Sequence, residues 1–382
     1  MYKIVNKLYN WFLNISPIAQ LKEIKNCDII IWASDLTHLR EQIHVIQFLE
    51  DYFRVGLISN KKTIRNYIKN NTNHSVGFLL FGKNTLYSID KILLKKNKEL
   101  KYALIGNDLR QDDNEIAKAL INHKIPYGVI SHGLIPDIIT KSKANHFFVW
   151  SRLDKDKLIK LGIEQSRIII TGSPYLNTLN KETVSIKNLN LDATLQSDKI
   201  KVLVALSGPG DQYSELEHIT MLENINKLAF NLKETHIFFS KLHKKDNPKY
   251  YYDKPHLHVI PENEIPANIS RLVPLLKKID IIITGASASI IEGIFLHKTV
   301  IIYDPYHKTQ QLPFVNGNYV TCCESISQVL KVIEVLKDEN YKRKIINKQT
   351  EFIEQFFALQ PPPAITIANH IKSFLKDTKS ER

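Results

Sequence analysis

Short polar and glycine-containing stretches of this 382-residue sequence combine side chains that could act together on a phosphorylated substrate. His132, in Ser131-His132-Gly133, follows an apolar run, and its imidazole could accept a proton from a hydroxyl nucleophile. The stretch from Lys241 to Lys245 holds three lysines and His243, which could neutralise a diphosphate or a departing nucleotide phosphate. A turn histidine and a solvated basic loop would leave the same pattern, so both structural alternatives stay open.

Hydroxyl residues gather in a third stretch, from Thr284 to Gly293, where an apolar run passes into a helical pattern. The Ser287 and Ser289 hydroxyls, together with helix amides, are expected to hold a phosphate, and Glu292 could bind the paired hydroxyls of a ribose. Ser207-Gly208 follows another apolar run and would let backbone amides approach a phosphate. A capping serine with Glu292 as its capping-box partner is the structural alternative.

Acidic and amide side chains follow two apolar runs of the first half. Asp35 and His38 come after the first run, and Asn107 and Asp108 come after a later one. Asp35 and Asp108 are alternatives to His132 as the base. His38 and Asn107 are expected to contact the acceptor, which is the molecule that carries the hydroxyl nucleophile. The single Asp-x-Asp triplet, Asp154–Asp156, opens a lysine-rich helical stretch. Acidic residues at the start of a helix interact favourably with the helix dipole, which explains this triplet better than a metal site does.

An alternation of buried strands and amphipathic helices is predicted to position these residues. Runs of β-branched and aromatic residues without strict alternation indicate strands buried on both faces of a parallel sheet. In the first half we predict strands at Asp28–Trp32, Arg54–Ser59, Val76–Phe81, Tyr102–Ile105, Tyr127–Ser131, Phe147–Trp150 and Ile168–Thr171. In the second half we predict strands at Lys201–Leu206, Thr235–Phe239, His256–Ile260, Ile281–Thr284 and Thr299–Tyr303.

The polar composition of residues 175–199 predicts a linker between two α/β halves. We expect a first domain at 1–175, a linker at 176–199, a second domain at 200–358, and a C-terminal helix at 359–382 that packs back on the first domain. Ligands of open parallel sheets bind beyond the carboxyl ends of the strands. The fold class is therefore α/β, with two Rossmann-like domains facing across a cleft that holds the site.

Composition narrows the protein classes further. The formal net charge of +13 suits an anionic partner such as a phosphorylated substrate, a nucleic acid or a membrane surface. Three cysteines without a Cys/His cluster offer no zinc or iron–sulfur ligand set, and they fit a reducing cytoplasm. No apolar stretch is long enough to span a membrane, but Trp11 and Phe12 could anchor residues 1–20 at an interface. Packing of this first helix on its own domain is the alternative.

These motifs, in this order, resemble the GT-B glycosyltransferases, and the nearest likeness is to bacterial capsule, teichoic-acid and lipopolysaccharide transferases of the CDP-glycerol glycerophosphotransferase type. The resemblance runs from about Tyr102 to about Asp304. It implies His132 as the catalytic base, Lys241 and His243 on the donor phosphates, and Glu292 on the ribose. It also implies that the first domain, 1–175, is the acceptor-side domain and the second, 200–358, the nucleotide-sugar-binding domain. The sequence departs from the family's His-Pro motif, because Lys244 follows His243. The matching segments are Gly106-Asn107-Asp108, Ser131-His132-Gly133, Val149-Trp150, Thr171–Pro174, Lys241-Leu242-His243 and Thr284–Gly293.

Transfer of a sugar or polyol phosphate from a nucleotide-activated donor to a glycan hydroxyl is the leading hypothesis, with no cofactor and no metal required. The same fold occurs in the non-hydrolysing UDP-N-acetylglucosamine 2-epimerases, so an epimerase is the alternative, although a full set of acid–base carboxylates cannot be assigned. A basic nucleic-acid-binding protein fits the charge, but no compact basic-aromatic module or zinc finger is present. We therefore expect a cytoplasmic enzyme, peripheral to the inner face of the membrane, with a lipid-linked or surface-polysaccharide acceptor and no nucleic-acid partner.

Overall fold

A computed structural model describes residues 27–71, 76–78, 99–133, 135, 137–179, 195–210, 212–242, 246–260, 273–285, 287, 289–310 and 312–380. The predicted interfacial helix at 1–20, most of the predicted linker and His243 lie outside these residues. The chain divides into two compact units, of which the first comprises 1–177 and 357–382 and the second comprises 178–356. Within the described residues, the helices are too short or too polar to cross a membrane.

The first unit is built on a seven-stranded parallel sheet with the order β3-β2-β1-β4-β5-β6-β7. Its strands are continuous apolar runs because helices cover both faces, and every residue of β1, β4, β5 and β6 is buried. The strands are β1 Ile29–Trp32, β2 Val55–Ser59, β3 Val76–Phe78, β4 Tyr102–Ile105, β5 Tyr127–Ile130, β6 His146–Val149 and β7 Ile168–Ile170. The α-helices are α1 Leu36–Glu50, α2 Lys62–Asn71, α3 Gln111–Asn122 and α4 Arg152–Lys160, with a 3-10 helix at Asp137–Lys141.

The second unit repeats the architecture with a six-stranded parallel sheet of order β10-β9-β8-β11-β12-β13. Its strands are β8 Ile200–Ala205, β9 His236–Lys241, β10 Leu257–Ile260, β11 Ile281–Thr284, β12 Thr299–Tyr303 and β13 Thr321–Cys323. Its helices are α5 Glu215–Asn231, α6 Val273–Lys278, α7 Ser289–Phe295, α8 Pro313–Asn316, α9 Ile326–Val335 and α10 Glu339–Phe356. The two sheets confirm the predicted fold class of two Rossmann-like α/β domains.

Side-chain caps fix where several helices begin. Asp35 caps α1 by accepting the His38 amide at 2.9 Å, and Ser151 caps α4 by accepting the Asp154 amide at 3.1 Å. Asp154, from the Asp-x-Asp triplet, also accepts the Ser151 hydroxyl at 2.7 Å, and burial raises its pKa to about 6. This carboxylate therefore stabilises the N-terminus of α4.

The last helix, α11 Pro363–Ser380, belongs to the first unit, where it packs on α1. Just before it, the Ala358 carbonyl oxygen lies against Gly172 and leaves no room for a side chain there. Gly172 also has a φ of 77°, which favours glycine. The chain therefore leaves the first unit near residue 177, forms the second, and returns at residue 357.

The structure differs from the predicted elements at three places. Trp150 falls outside β6, and its indole N–H donates to the Ser131 carbonyl at 3.0 Å. Leu176, the first residue of the predicted linker, is buried, and the first unit extends to residue 177. β13 forms an edge strand in which Cys323 is buried and Cys322 is partly exposed, as expected for adjacent residues on opposite faces of a strand.

Candidate functional site

Both sheets reverse their strand order beside their first strand, and polar residues collect there. In the first unit β1 lies between β2 and β4, and in the second unit β8 lies between β9 and β11. Open α/β sheets bind ligands in the crevice beyond the carboxyl ends of the strands at such a reversal. Asp35 and Asn107 follow β1 and β4, and Ser207 follows β8.

A buried hydrogen-bonded chain starts at the end of β1. Asp113 accepts the Trp32 indole N–H at 2.6 Å and the Ser34 hydroxyl at 3.0 Å. Since Ser34 has one hydroxyl proton, its 2.9 Å contact with His38 Nδ1 uses the proton on that nitrogen. This assigns His38 to the Nδ1–H tautomer when Asp113 is ionised, and Nε2 is left as a buried acceptor with no hydrogen-bond partner among the described residues.

Asp113 was missed by sequence reasoning. It lies beside Asp112 in the first turn of α3, where acidic residues are expected in any case because they favour the helix dipole. Burial raises its pKa to about 6, although the Trp32 and Ser34 hydrogen bonds oppose the rise. No signal in the sequence distinguishes this inward carboxylate from its partly exposed neighbour.

Asp35 remains ionised at the edge of this chain. Arg110 donates to its Oδ2 at 2.8 Å, and His38 Nε2 lies 4.0 Å from the same oxygen. Burial opposes ionisation, but the hydrogen bond from the His38 backbone amide and the Arg110 guanidinium lower the pKa of Asp35 to about 2. Asp35 therefore supplies a fixed negative charge together with the cap of α1.

His38 and His132 pack edge to face, with ring centroids 4.3 Å apart. Burial lowers the pKa of His38 to about 3 and that of His132 to about 4, so both imidazoles are neutral at pH 7. His38 is fully buried, whereas His132 is partly exposed although its Nδ1 atom is shielded from solvent. Gly106 fits beneath the His38 ring, because a Cβ at residue 106 would lie 2.2 Å from His38 Cγ.

His132 lines a pocket of about 340 Å³ within the first unit. Among the residues whose side chains the structure describes, the lining contains no carboxylate and one imidazole. Asn107, Arg110 and Ser131 supply its other polar groups. Its apolar lining consists of Leu109, Val129, Ile135, Ile138, Ile139, Phe147, Val149 and Leu158.

Asn107 and Asp108 are neighbours with different surroundings. Asn107 reaches the pocket and its Oδ1 accepts the amides of Leu109 and Arg110, at 2.7 and 3.2 Å. Asp108 is 3 % exposed and accepts the Tyr127 hydroxyl at 3.0 Å together with the Ser142 hydroxyl. Asp108 does not line the pocket, and burial raises its pKa.

The second unit brings together three hydroxyls after β11. Thr284 donates to the Ala205 carbonyl at 2.7 Å, its Oγ1 lies 3.3 Å from Ser289 Oγ, and Ser289 Oγ donates to Ser287 Oγ at 3.0 Å. Thr284 thus joins β11 to β8, and the partly exposed Ser287 is the member of the group nearest solvent. Glu292 is buried in α7, 6 % exposed.

Ser207 and Gly208 continue the chain from β8 as predicted. The Ser207 hydroxyl oxygen is shielded from solvent and has no hydrogen-bond partner among the described residues. Gly208 has a φ of 71°, a conformation that disfavours other residues. Lys241 ends β9 with a partly exposed side chain, and its neighbour His243 lies outside the described residues.

Asp246, which follows the basic stretch, belongs to a buried pair that was not predicted from the sequence. His218 Nε2, from α5, lies 2.6 Å from Asp246 Oδ1, and both side chains are at most 1 % exposed. Tyr251 donates its hydroxyl to Asp246 Oδ2 at 3.1 Å and is also hydrogen-bonded to Ser240. This network fixes both ends of the stretch from Lys241 to Lys245. A contact between residues 28 positions apart has no local sequence signal.

In the described part of the chain, no group of three or more His, Cys, Asp or Glu side chains is placed to hold a metal ion.

Comparisons with known proteins identify the fold. No family model and no curated protein sequence matches the chain. Among solved structures, it is similar to the UDP-GlcNAc 2-epimerase of Neisseria meningitidis bound to UDP-GlcNAc, with 16 % identity, a TM-score of 0.64, and coverage of 92 % of this chain and 99 % of that one. It is similar to S. aureus MnaA with UDP, with 14 % identity, a TM-score of 0.67 and coverage of 91 % and 96 %.

A third similar structure is the wall teichoic acid polymerase TagF with CDPG, with 12 % identity, a TM-score of 0.59, and coverage of 99 % of this chain and 98 % of that one. All three identities are low, so the likeness is one of fold. The chain has the GT-B-type fold of two Rossmann-like domains, which these nucleotide-dependent enzymes share.

Proposed function

We propose that this protein is a glycosyltransferase that moves a sugar, or a polyol phosphate, from a nucleotide-activated donor to a hydroxyl of a surface-polysaccharide or lipid-linked glycan. The observation that carries this proposal is the neutral, partly exposed His132 at the edge of a pocket whose described lining has no carboxylate. One neutral imidazole can take the proton of an acceptor hydroxyl. His38 packs against this ring and would hold its orientation.

The donor half of the proposal rests on the second unit. Lys241 and His243 would neutralise the donor phosphates, and Ser207, Ser287 and Ser289 offer hydroxyls close to the strand reversal. Asp246, the residue that follows the basic stretch, is buried beside His218. Glu292 in the donor role would have to bind ribose from its buried position in α7.

A thermal-shift titration with CMP, CDP, UDP, GDP and ADP tests the donor half. We expect one nucleoside diphosphate to raise the melting temperature, by an amount that grows with the logarithm of its concentration above the Kd, because it binds only the folded state. Lys241→Ala should reduce that shift. No response to any nucleotide would refute the proposal.

The catalytic half is tested with the nucleotide donor identified in this way. His132→Ala should lower kcat by 100-fold or more, the usual contribution of a general base, without removing nucleotide binding. His123→Ala is the matched control, because this histidine ends α3 at the opposite edge of the sheet. Transfer at the full rate by the His132 variant would reject His132 as the base, and EDTA treatment would show whether transfer needs a metal.

An epimerase of the UDP-GlcNAc 2-epimerase type is the second candidate, favoured by the similarity to two such structures over more than nine-tenths of the chain. It predicts that UDP-GlcNAc alone, with no acceptor, is converted to its C2 epimer. Transfer instead requires an acceptor. An NMR assay of UDP-GlcNAc with the protein alone separates these two activities.

The proposal also places the enzyme at the inner face of the membrane, through the basic-aromatic residues 1–20. Cosedimentation with vesicles of phosphatidylcholine and phosphatidylglycerol tests this placement. Binding should fall with added salt and after deletion of residues 1–20. Equal binding by the shortened protein would contradict it.

A further inference from the structure

The 340 Å³ pocket beside His132 has a mostly apolar lining. Val129 from β5 and Phe147 from β6 form part of its wall, and Leu158 of α4 adds another side. Ile135 and Ile138 complete it, and Lys157 fixes this segment by donating to the Ile135 carbonyl at 2.6 Å. The wall is therefore an extension of the hydrophobic core that opens to one side.

At its polar end, some hydrogen-bonding capacity is already used within the protein. Asn107 Oδ1 accepts two backbone amides, and one N–H of the Arg110 guanidinium donates to Asp35. A hexose ring inside the pocket would therefore leave several hydroxyls facing Val129 and Phe147. Each unpaired buried hydroxyl weakens binding by about tenfold. The apolar part of the pocket, away from Asn107, Arg110 and His132, is therefore better suited to an apolar group than to a polyhydroxylated ring.

We infer that this pocket binds an apolar substituent of the acceptor, of hexyl or phenyl size, attached next to the hydroxyl that His132 deprotonates. The inference rests on the proposed transfer function and names the acceptor class: a hydroxylated molecule with an apolar neighbouring group. Each methylene buried in such a wall strengthens binding by about fourfold. The imidazole then meets the one hydroxyl that remains at the polar edge.

Ile138 supports this assignment, because it lines the pocket and yet is 51 % exposed. A ligand seated in the pocket would cover part of this exposed apolar surface. Ile159, on α4 beside Leu158, is 39 % exposed but does not line the pocket. The two isoleucines thus form a matched pair in which an aspartate should not disturb folding.

The test uses 1-hexanol and hexane-1,6-diol as probes, followed by saturation-transfer NMR and calorimetric titration of the full chain. Hexanol should bind at least tenfold more tightly than the diol, because the second hydroxyl of the diol would be buried without a partner. Ile138→Asp should weaken hexanol binding at least tenfold, while Ile159→Asp should leave it unchanged. Equal binding of the two alcohols, or equal effects of the two variants, would overturn the inference.

The alcohol titration and the nucleotide titration fail separately. Nucleotide binding without hexanol binding overturns this inference and leaves the proposed function standing. Hexanol binding without nucleotide binding overturns the proposed function and, with it, the assignment of the pocket to an acceptor. Binding of both, with transfer to an alkyl glycoside faster than to the methyl glycoside, is the result that we expect.

Discussion

Substitution of Gly106 tests the packing that holds the two histidines. In Gly106→Ala the new Cβ would lie 2.2 Å from His38 Cγ and 2.6 Å from His38 Nδ1. The ring would have to move, and its 2.9 Å contact with Ser34 would be lost. Overpacking of this kind costs about 1–3 kcal/mol and a buried hydrogen bond about 1 kcal/mol, so the free energy of unfolding should fall by about 2–4 kcal/mol.

The positions of the tryptophans provide the assay for this variant. All three tryptophans of the chain, Trp11, Trp32 and Trp150, belong to the first unit. Urea unfolding followed by tryptophan fluorescence therefore reports on the unit that contains Gly106. Gly133→Ala is the matched control, because a Cβ there meets no atom within 4 Å. Its free energy of unfolding should stay within about 0.5 kcal/mol of that of the unchanged protein.

A double-mutant cycle shows whether the clash with His38 is the cause. His38→Gly removes both the ring and the Cβ that lies 2.5 Å from the new methyl group. In that background Gly106→Ala should add less than about 1 kcal/mol of destabilisation. If Gly106→Ala is as stable as Gly133→Ala, or loses as much stability without His38 as with it, the reasoning is wrong.

Three further predictions concern stability. His218→Ala should lower the free energy of unfolding by about 3–5 kcal/mol, because Asp246 would lose its buried imidazole partner. The double variant with Asp246→Ala should lose less stability than the sum of the two single variants. Urea unfolding followed by circular dichroism measures both. Gly172→Ala should make residues 357–380 susceptible to limited proteolysis, since its Cβ would lie 1.9 Å from the Ala358 carbonyl oxygen. Gly162→Ala is the control, because Gly162 has a φ of 86° but open space around it. That variant should lose only about 1–2 kcal/mol of unfolding free energy. Stability should fall between about pH 6.5 and pH 4, because the unfolded chain binds protons in this range that buried imidazoles do not, and replacing such a histidine by glutamine should flatten the slope in pH-dependent urea unfolding. The histidines concerned, whose pKa burial lowers to about 3 or about 4, are His38, His44, His132 and His146.

The strands were predictable because burial on both faces leaves a local signature. Ile29–Trp32 and Ile281–Thr284 are short β-branched runs, and the structure has them as β1 and β11. The polar residues that follow such runs were therefore found at the strand ends. Their side-chain directions were not predictable, because Asn107 and Asp108 differ by one position and face different surroundings.

Contacts between residues that are far apart in the chain were also not predictable from the sequence. Asp113 meets Ser34 across 79 positions, and Gly106 receives the His38 ring only because β4 pairs with β1. Both contacts depend on the strand order, which the alternation of strands and helices does not determine. The sequence could thus indicate the edge of the sheet that carries the chemistry, but not the partners that tune each group.

The return of the chain at residue 357 has a consequence for biosynthesis. Residues 1–177 leave the ribosome first, yet α1 lacks its partner α11 until residues 363–380 have been made. The second unit, which is contiguous in sequence from 178 to 356, can finish folding while the first is still incomplete. The half that is synthesised first is thus completed last, and a protein truncated before residue 357 should lose the stability of its N-terminal half.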